Sequence, residues 1–172
     1  MRGAADPDDM TLPLYGAPFG ASVKRFFAGF VRFKGRASKS EYWWAQLFQM
    51  LVVLVVVGVS IVVMVAEAVA LPAEEADRLS EDSEAMWEWM VGSGPIVVSF
   101  AVFIVVALAL GIGNLALGWR RLQDANVRGA WTFATVALQV VACVPFASML
   151  RDAWWIVIGV LPTKPEGQRF DP

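Results

Sequence analysis

Three stretches of this chain carry no charged residue: Tyr42 to Ala66, Trp89 to Trp119 and Gly129 to Leu150. Each reaches the roughly 20 residues that a helix needs to cross a hydrocarbon core of about 30 Å. Lipid supplies no hydrogen-bond partners, so a segment immersed in it must satisfy its backbone internally, which a helix does alone. Barrel strands would read as short alternating segments, and the sequence has none. With 58% hydrophobic and 17% charged residues, the composition also departs from soluble usage. The expectation is an all-α, integral membrane helical bundle.

The first run is an anchor rather than a cleaved signal, because its 25 uncharged residues exceed a signal core and more than forty residues precede it. The first two spans are expected at about 43–66 and 95–117. Between them, residues 67–94 carry eight acidic groups against one basic, Arg78, whereas Gly20 to Glu41 holds six Lys or Arg and one acid. Lysines and arginines near span ends are retained in the cytoplasm. The amino end is therefore expected inside, and 67–94 outside as a solvated acidic loop. The Arg120-Arg121 pair, with Arg128 beyond it, forms a short basic loop that returns to the cytoplasm.

The last third admits two readings. Trp131 to Leu150 makes one span, which leaves Ala153 to Thr163 too short for another at 1.5 Å per residue. Alternatively Pro145 breaks the run into a hairpin with arms at about 129–144 and 147–162, giving four short spans. The tail 164–172 is outside in the three-span reading and cytoplasmic in the four-span one. Its two basic and two acidic residues do not decide.

Residues 1–19, rich in Pro, Gly and Asp, read as a disordered tail. Val23, Phe26, Phe27, Phe30 and Val31 then recur near helical spacing, with Lys24, Arg25 and Arg32 between them. That pattern suits a juxtamembrane amphipathic helix over about 21–33, with its cations toward anionic lipid. Gly35 and Arg36 form a hinge, and Ser38 with Glu41 fits the capping box that opens a helix. Tyr42, Trp43 and Trp44 follow as an interfacial aromatic belt. Inside the spans, Gln46, Gln49 and Asn114 are the polar residues suited to hydrogen-bonding between helices.

Catalytic signals are sparse. The chain has no histidine and a single cysteine, Cys143, inside the third apolar run, so the commonest general base and metal ligand is absent. No phosphate loop, nucleophile–base pair or metal-ligand spacing appears. The expectation is therefore a non-enzymatic protein with no cofactor and no nucleic-acid partner.

Three segments in order, Phe33-Lys-Gly-Arg-Ala-Ser-Lys-Ser-Glu-Tyr-Trp-Trp44, Trp119-Arg-Arg-Leu-Gln-Asp124 and Pro165-Glu-Gly-Gln-Arg-Phe-Asp171, resemble the DUF805 family of small bacterial inner-membrane proteins. The opening Leu14-Tyr15-Gly16-Ala17-Pro18 is similar to actinobacterial members. The resemblance implies a compact bundle with four membrane segments and no established activity, and it favours the hairpin. The chain departs from the family where Gln123 stands in place of a common His, and in a longer, more charged Ser148–Ala153.

With four spans, the motif residues Gly35, Arg36, Ser38, Glu41, Arg120, Arg121, Asp124, Arg169 and Phe170 reach one cytoplasmic face. Two roles stay open for their charges: an ion-pair network fixing the bundle, each exposed pair contributing about 0–1 kcal/mol, or arginine forks for lipid phosphate or a partner's acidic group. The expected partners are membrane lipid, a second copy or another membrane protein. Two rival functions remain. One is a small oligomeric transporter using Gln46, Gln49, Asn114 and Gln139, and the other a headgroup-layer enzyme using Glu41 or Asp124.

Overall fold

A computed structural model of the chain describes residues 2–140 and 145–171, with side chains undescribed at 138–140 and 145–148. Among the described residues every regular element is helical. In chain order these are α1 (Phe19–Ala28), α2 (Lys39–Val69), α3 (Ala73–Glu81), α4 (Ser83–Gly92) and α5 (Gly94–Asp124), then a short 3₁₀ helix (Gly129–Phe133), α6 (Ala134–Val140), α7 (Pro145–Val160) and a last 3₁₀ helix (Pro165–Phe170). Cys143 lies outside the described residues, as does the side chain of Gln139, whereas Pro145, the expected break of the hairpin, is the first residue of α7.

Helices α2 and α5 each have 31 residues, a length of about 46 Å at 1.5 Å per residue. Among the described residues they are the two helices long and apolar enough to cross a membrane. Only 6% and 11% of their most apolar windows are buried by protein. The core helix of a soluble protein would be mostly covered, so these surfaces fit a lipid solvent, as in a membrane protein. Leu54, Val62, Val105 and Leu108 are among the side chains left exposed.

The chain divides into two compact units, one of Met1–Phe48 with Leu110–Pro172 and one of Gln49–Ala109. In the second unit, the stretch expected as a solvated loop is folded into α3 and α4, which pack on one another. The physical reason is a cap: the Asp82 side chain accepts from the backbone N–H groups of Glu84 (2.9 Å) and Ala85 (3.3 Å), which satisfies the orphan donors of the first turn of α4. Leu79 and Ala85 are buried there.

In the first unit the core comprises Phe26, Ala37, Tyr42, Ala45, Leu117, Leu122 and Ile158, with Phe30, Trp154 and Trp155 packed around it. The Tyr42 hydroxyl donates to the Trp155 carbonyl at 2.8 Å. Helices α6 and α7 pack together, and the Trp154 indole donates to the Trp131 carbonyl at 3.2 Å. Two expectations change here. Helix α1 stops at Ala28, because the chain turns at Gly29, whose carbonyl accepts from the Arg32 N–H (3.1 Å). The Gly118–Asp124 segment is not a loop; it forms the last turns of α5, where helix-favouring Arg, Leu and Gln continue the periodicity. The helix ends before Asn126, which adopts φ 60°.

The tail expected to be disordered is packed. Pro13, Leu14 and Ala17 are buried, the Ala4 N–H donates to the Pro13 carbonyl (2.9 Å), and the Ala17 N–H donates to the Ser40 hydroxyl (2.9 Å). Its apolar residues lack a regular period, but arginines elsewhere in the unit bind its backbone carbonyls.

A buried arginine and carboxylate cluster as the candidate functional site

The hinge before α2 aims the first arginine. Gly35 adopts φ +88°, a left-handed conformation open to glycine at little cost. The Ala37 N–H then donates to the Arg120 carbonyl at 3.1 Å, which ties the hinge to the end of α5. Helix α2 opens on a reciprocal cap: the Glu41 N–H donates to the Ser38 hydroxyl (3.2 Å) and the Ser38 N–H to Glu41 Oε2 (2.6 Å). The Ser38 hydroxyl donates to the Leu14 carbonyl at 2.6 Å.

Between these anchors, Arg36 is fully buried and engages five acceptors. Its Nε and Nη2 fork onto Asp171 Oδ1 (2.6 Å) and Oδ2 (2.9 Å). Its Nη1 donates to the Tyr15 hydroxyl (3.0 Å) and Asp124 Oδ1 (3.3 Å), and Nη2 also to the Arg2 carbonyl (3.0 Å). A guanidinium has five N–H donors, so none is left for another ligand. Burial penalises its charge, but the Asp171 hydrogen bonds and the neighbouring Tyr15 and Asp124 outweigh that and raise its pKa.

Asp124 is the hub. Besides Arg36, its Oδ1 accepts from the Tyr15 hydroxyl (2.9 Å), and its Oδ2 accepts from Arg121 Nη1 (2.8 Å) and the Thr163 hydroxyl (2.6 Å). Arg121, one turn before Asp124 on α5, also donates to the Leu161 carbonyl at the end of α7. One carboxylate thus joins four separated stretches of sequence. Beside it, Arg25 pairs with Glu41 and donates to the carbonyls of Pro7 (3.0 Å), Asp9 (2.7 Å) and Leu12 (2.5 Å).

Gln123 crosses between elements. With its amide nitrogen toward the Gly35 carbonyl (2.6 Å) and its oxygen toward the Trp119 indole N–H (3.0 Å), it both donates and accepts. A neutral imidazole offers the same one donor and one acceptor at similar separation. Gln123→His is therefore expected to keep thermal stability within about 1 kcal/mol, whereas Gln123→Leu, which leaves a buried carbonyl unmet, loses about 1–3 kcal/mol. Thermal melts in detergent distinguish the two.

The Tyr15 phenol is held above its ordinary pKa of 10, first by burial and then by the adjacent Asp124 charge. A raised folded value means the neutral phenol is favoured by the fold. The stability this contributes is complete below pH 10 and is lost as pH rises through the folded value. The chain has two tyrosines, so in a Tyr42→Phe variant phenolate absorbance reports Tyr15 alone. No titration is expected near pH 10, and the step that appears above it coincides with loss of thermal stability.

A family model described as a protein of unknown function, DUF805, matches residues 30–172. The chain belongs to the DUF805 family. No curated protein and no solved structure matches the chain.

The match to DUF805 contains Arg36, Glu41, Arg121, Asp124 and Asp171, whereas Tyr15 and Arg25, which close the cluster from the amino-terminal side, precede it. The motif charges differ from the expected exposed network, for Arg36, Glu41, Arg120, Arg121 and Asp124 are all buried. Arg25, Asp171, Tyr15 and Thr163 were not among the sequence candidates. Arg25 was expected to face lipid, yet it points inward. Arg169 is exposed beside the Phe170 ring, its guanidinium carbon 4.7 Å from the centroid, and the neighbouring Asp171 makes the ion pair instead. Among the intramembrane candidates, the half-buried Gln46 donates to Asn114 Oδ1 at 2.7 Å, while Gln49, which is buried, belongs to the other compact unit. Among the described residues, no group of three His, Cys, Asp or Glu is placed to hold a metal ion.

Proposed function

We propose that this DUF805 chain is a non-enzymatic, multi-pass protein of the bacterial inner membrane. Its family-motif charges act as an internal clasp at the cytoplasmic face, and the exposed sides of α2 and α5 meet lipid or another membrane protein. The observation that carries this reading is the Arg36–Asp171 fork together with the shared Asp124. It joins the segment before α2, the end of α5 and the segment after α7. A chain that leaves this face along α2 and returns along α5 has its α6–α7 hairpin start and finish on the same face, which favours four membrane segments over three. The lysines and arginines of Gly20 to Glu41 favour the cytoplasm for that face.

The rival readings have less support. Gln46 and Asn114 satisfy one another, which suits a lock between helices better than the lining of a path. The oxygens of Glu41 and Asp124 are committed to Arg25, Ser38, Tyr15, Arg36, Arg121 and Thr163, so neither carboxylate stands ready as a base.

A double-mutant cycle tests the clasp. Arg36→Gln and Asp171→Asn are expected to destabilise the detergent-solubilised protein non-additively, with a coupling of about 1–3 kcal/mol. Additive or negligible effects would count against a clasp.

A further inference from the structure

Four arginines are buried among the described residues. Arg25 has Glu41, Arg36 has Asp124 and Asp171, and Arg121 has Asp124. Arg120 has no carboxylate within ion-pair distance among the described residues, although 6% of its surface is all that stays exposed. Its hydrogen bonds are two long ones to backbone carbonyls, Nε to Ala116 and Nη2 to Gly29, both 3.3 Å. Its Nη1 makes none.

The surroundings deepen the deficit. The charged neighbours acting on Arg120 are Glu41, Arg32 and Arg25. Glu41 is already held by Arg25 and the Ser38 N–H, which leaves an excess of guanidinium charge. The Arg120 guanidinium lies over Gly29, where an added Cβ would come within 2.6 Å of Nη1. The same Gly29 carbonyl accepts from the Arg32 N–H; the partly exposed Arg32 side chain donates from Nε to the Lys34 carbonyl (3.0 Å) and is the neighbouring cation at the rim of this corner. A buried cation without a counter-charge of its own is destabilising, and a guanidinium fork matches phosphate oxygens.

We propose that Arg120, with Arg32 at its rim, is a binding site for a phosphate group, supplied by a lipid headgroup or by free phosphate. The site stands on this local geometry and holds whether or not the four-segment topology is correct.

The test is ligand-induced thermal stabilisation of the full chain in a phosphate-free maltoside detergent. One arm adds inorganic phosphate, a second adds phosphatidylglycerol, and a third adds diacylglycerol, which has the acyl chains without the phosphate. Wild type is expected to gain melting temperature in the phosphate or phosphatidylglycerol arm and not with diacylglycerol; the responding arm identifies the source. Arg120→Gln is expected to weaken the apparent affinity at least tenfold, and Arg128→Gln, at an exposed residue not among the charges acting on Arg120, to leave it unchanged. Should Arg120→Gln fail to fold, Arg32→Gln is read instead, with an expected loss of at least threefold. The proposal is overturned if neither phosphate arm shifts wild type, if diacylglycerol shifts it equally, or if the Arg120 variant, or Arg32→Gln when read in its place, responds as wild type does.

Discussion

Asp124→Asn is expected to lower the stability of the detergent-solubilised protein by about 3–5 kcal/mol, the cost typical of removing one partner from a buried charge network. The side chain is fully buried and accepts from Tyr15, Arg36, Arg121 and Thr163. Asparagine keeps the shape but presents one acceptor oxygen and one NH₂ group, which points a donor at other donors. Arg36 retains Asp171, whereas Arg121 loses the one carboxylate paired with it among the described residues. The damage therefore concentrates at the junction of α5 with the end of α7. Thermal unfolding with Asp124→Glu alongside measures the effect. Glutamate keeps the charge and is expected to recover part of the loss, and a wild-type melt for Asp124→Asn would remove the hub from the account.

The second large effect is steric. A Cβ built at Gly167 meets the Gln123 carbonyl oxygen at 2.6 Å and that of Asp124 at 2.9 Å. Both are backbone atoms of the last turn of α5 and have little freedom to yield. The Lys164 N–H donates to the same Asp124 carbonyl at 3.0 Å, so the final 3₁₀ helix is seated directly on the helix end. Gly167→Ala is expected to lift that segment, draw Asp171 away from Arg36 and cost about 1–3 kcal/mol, the range for overpacking. The loosened carboxyl terminus also becomes a faster substrate for carboxypeptidase, which separates lifting of the tail from a general loss of stability. Unchanged digestion with unchanged melting would contradict the seating.

How much of this was legible beforehand depends on the range of each interaction. The uncharged runs mark α2 and α5 because length and composition are local properties. The Ser38 and Glu41 cap is written in four consecutive residues and is likewise readable. Asp82-Ser83-Glu84 holds a comparable cap signal for α4, which the acidity of 67–94 obscured. The Arg121 and Asp124 pair sits at i, i+3 on a helix, but the basic Arg120-Arg121 stretch reads as a loop from charge alone.

What sequence could not convey is who meets whom. Arg36 and Asp171 are 135 positions apart, and Tyr15 and Asp124 are 109 apart, so no periodicity links them. Asp171 sits beside two named candidates, Arg169 and Phe170, yet only the folded tail shows which of the three turns inward. The amino-terminal tail misled for a related reason: its order comes from Arg25, Arg36 and Ser38 binding its carbonyls, and backbone acceptors leave no mark in composition. The charges themselves were legible as a group, but their burial was not, because a pair buried by other elements looks the same in sequence as an exposed one.

The most direct measurement of the central claim, that the clasp gathers both chain ends and the end of α5 on one side of a membrane, is a pair of topology reporters. One reporter is fused after Pro172 and the other is inserted in the acidic 67–94 segment, both in cells that make the protein. The account predicts cytoplasmic activity for the first and activity on the opposite side for the second. Matching sides would separate Asp171 from Arg36 by the thickness of the bilayer, and the clasp could not exist.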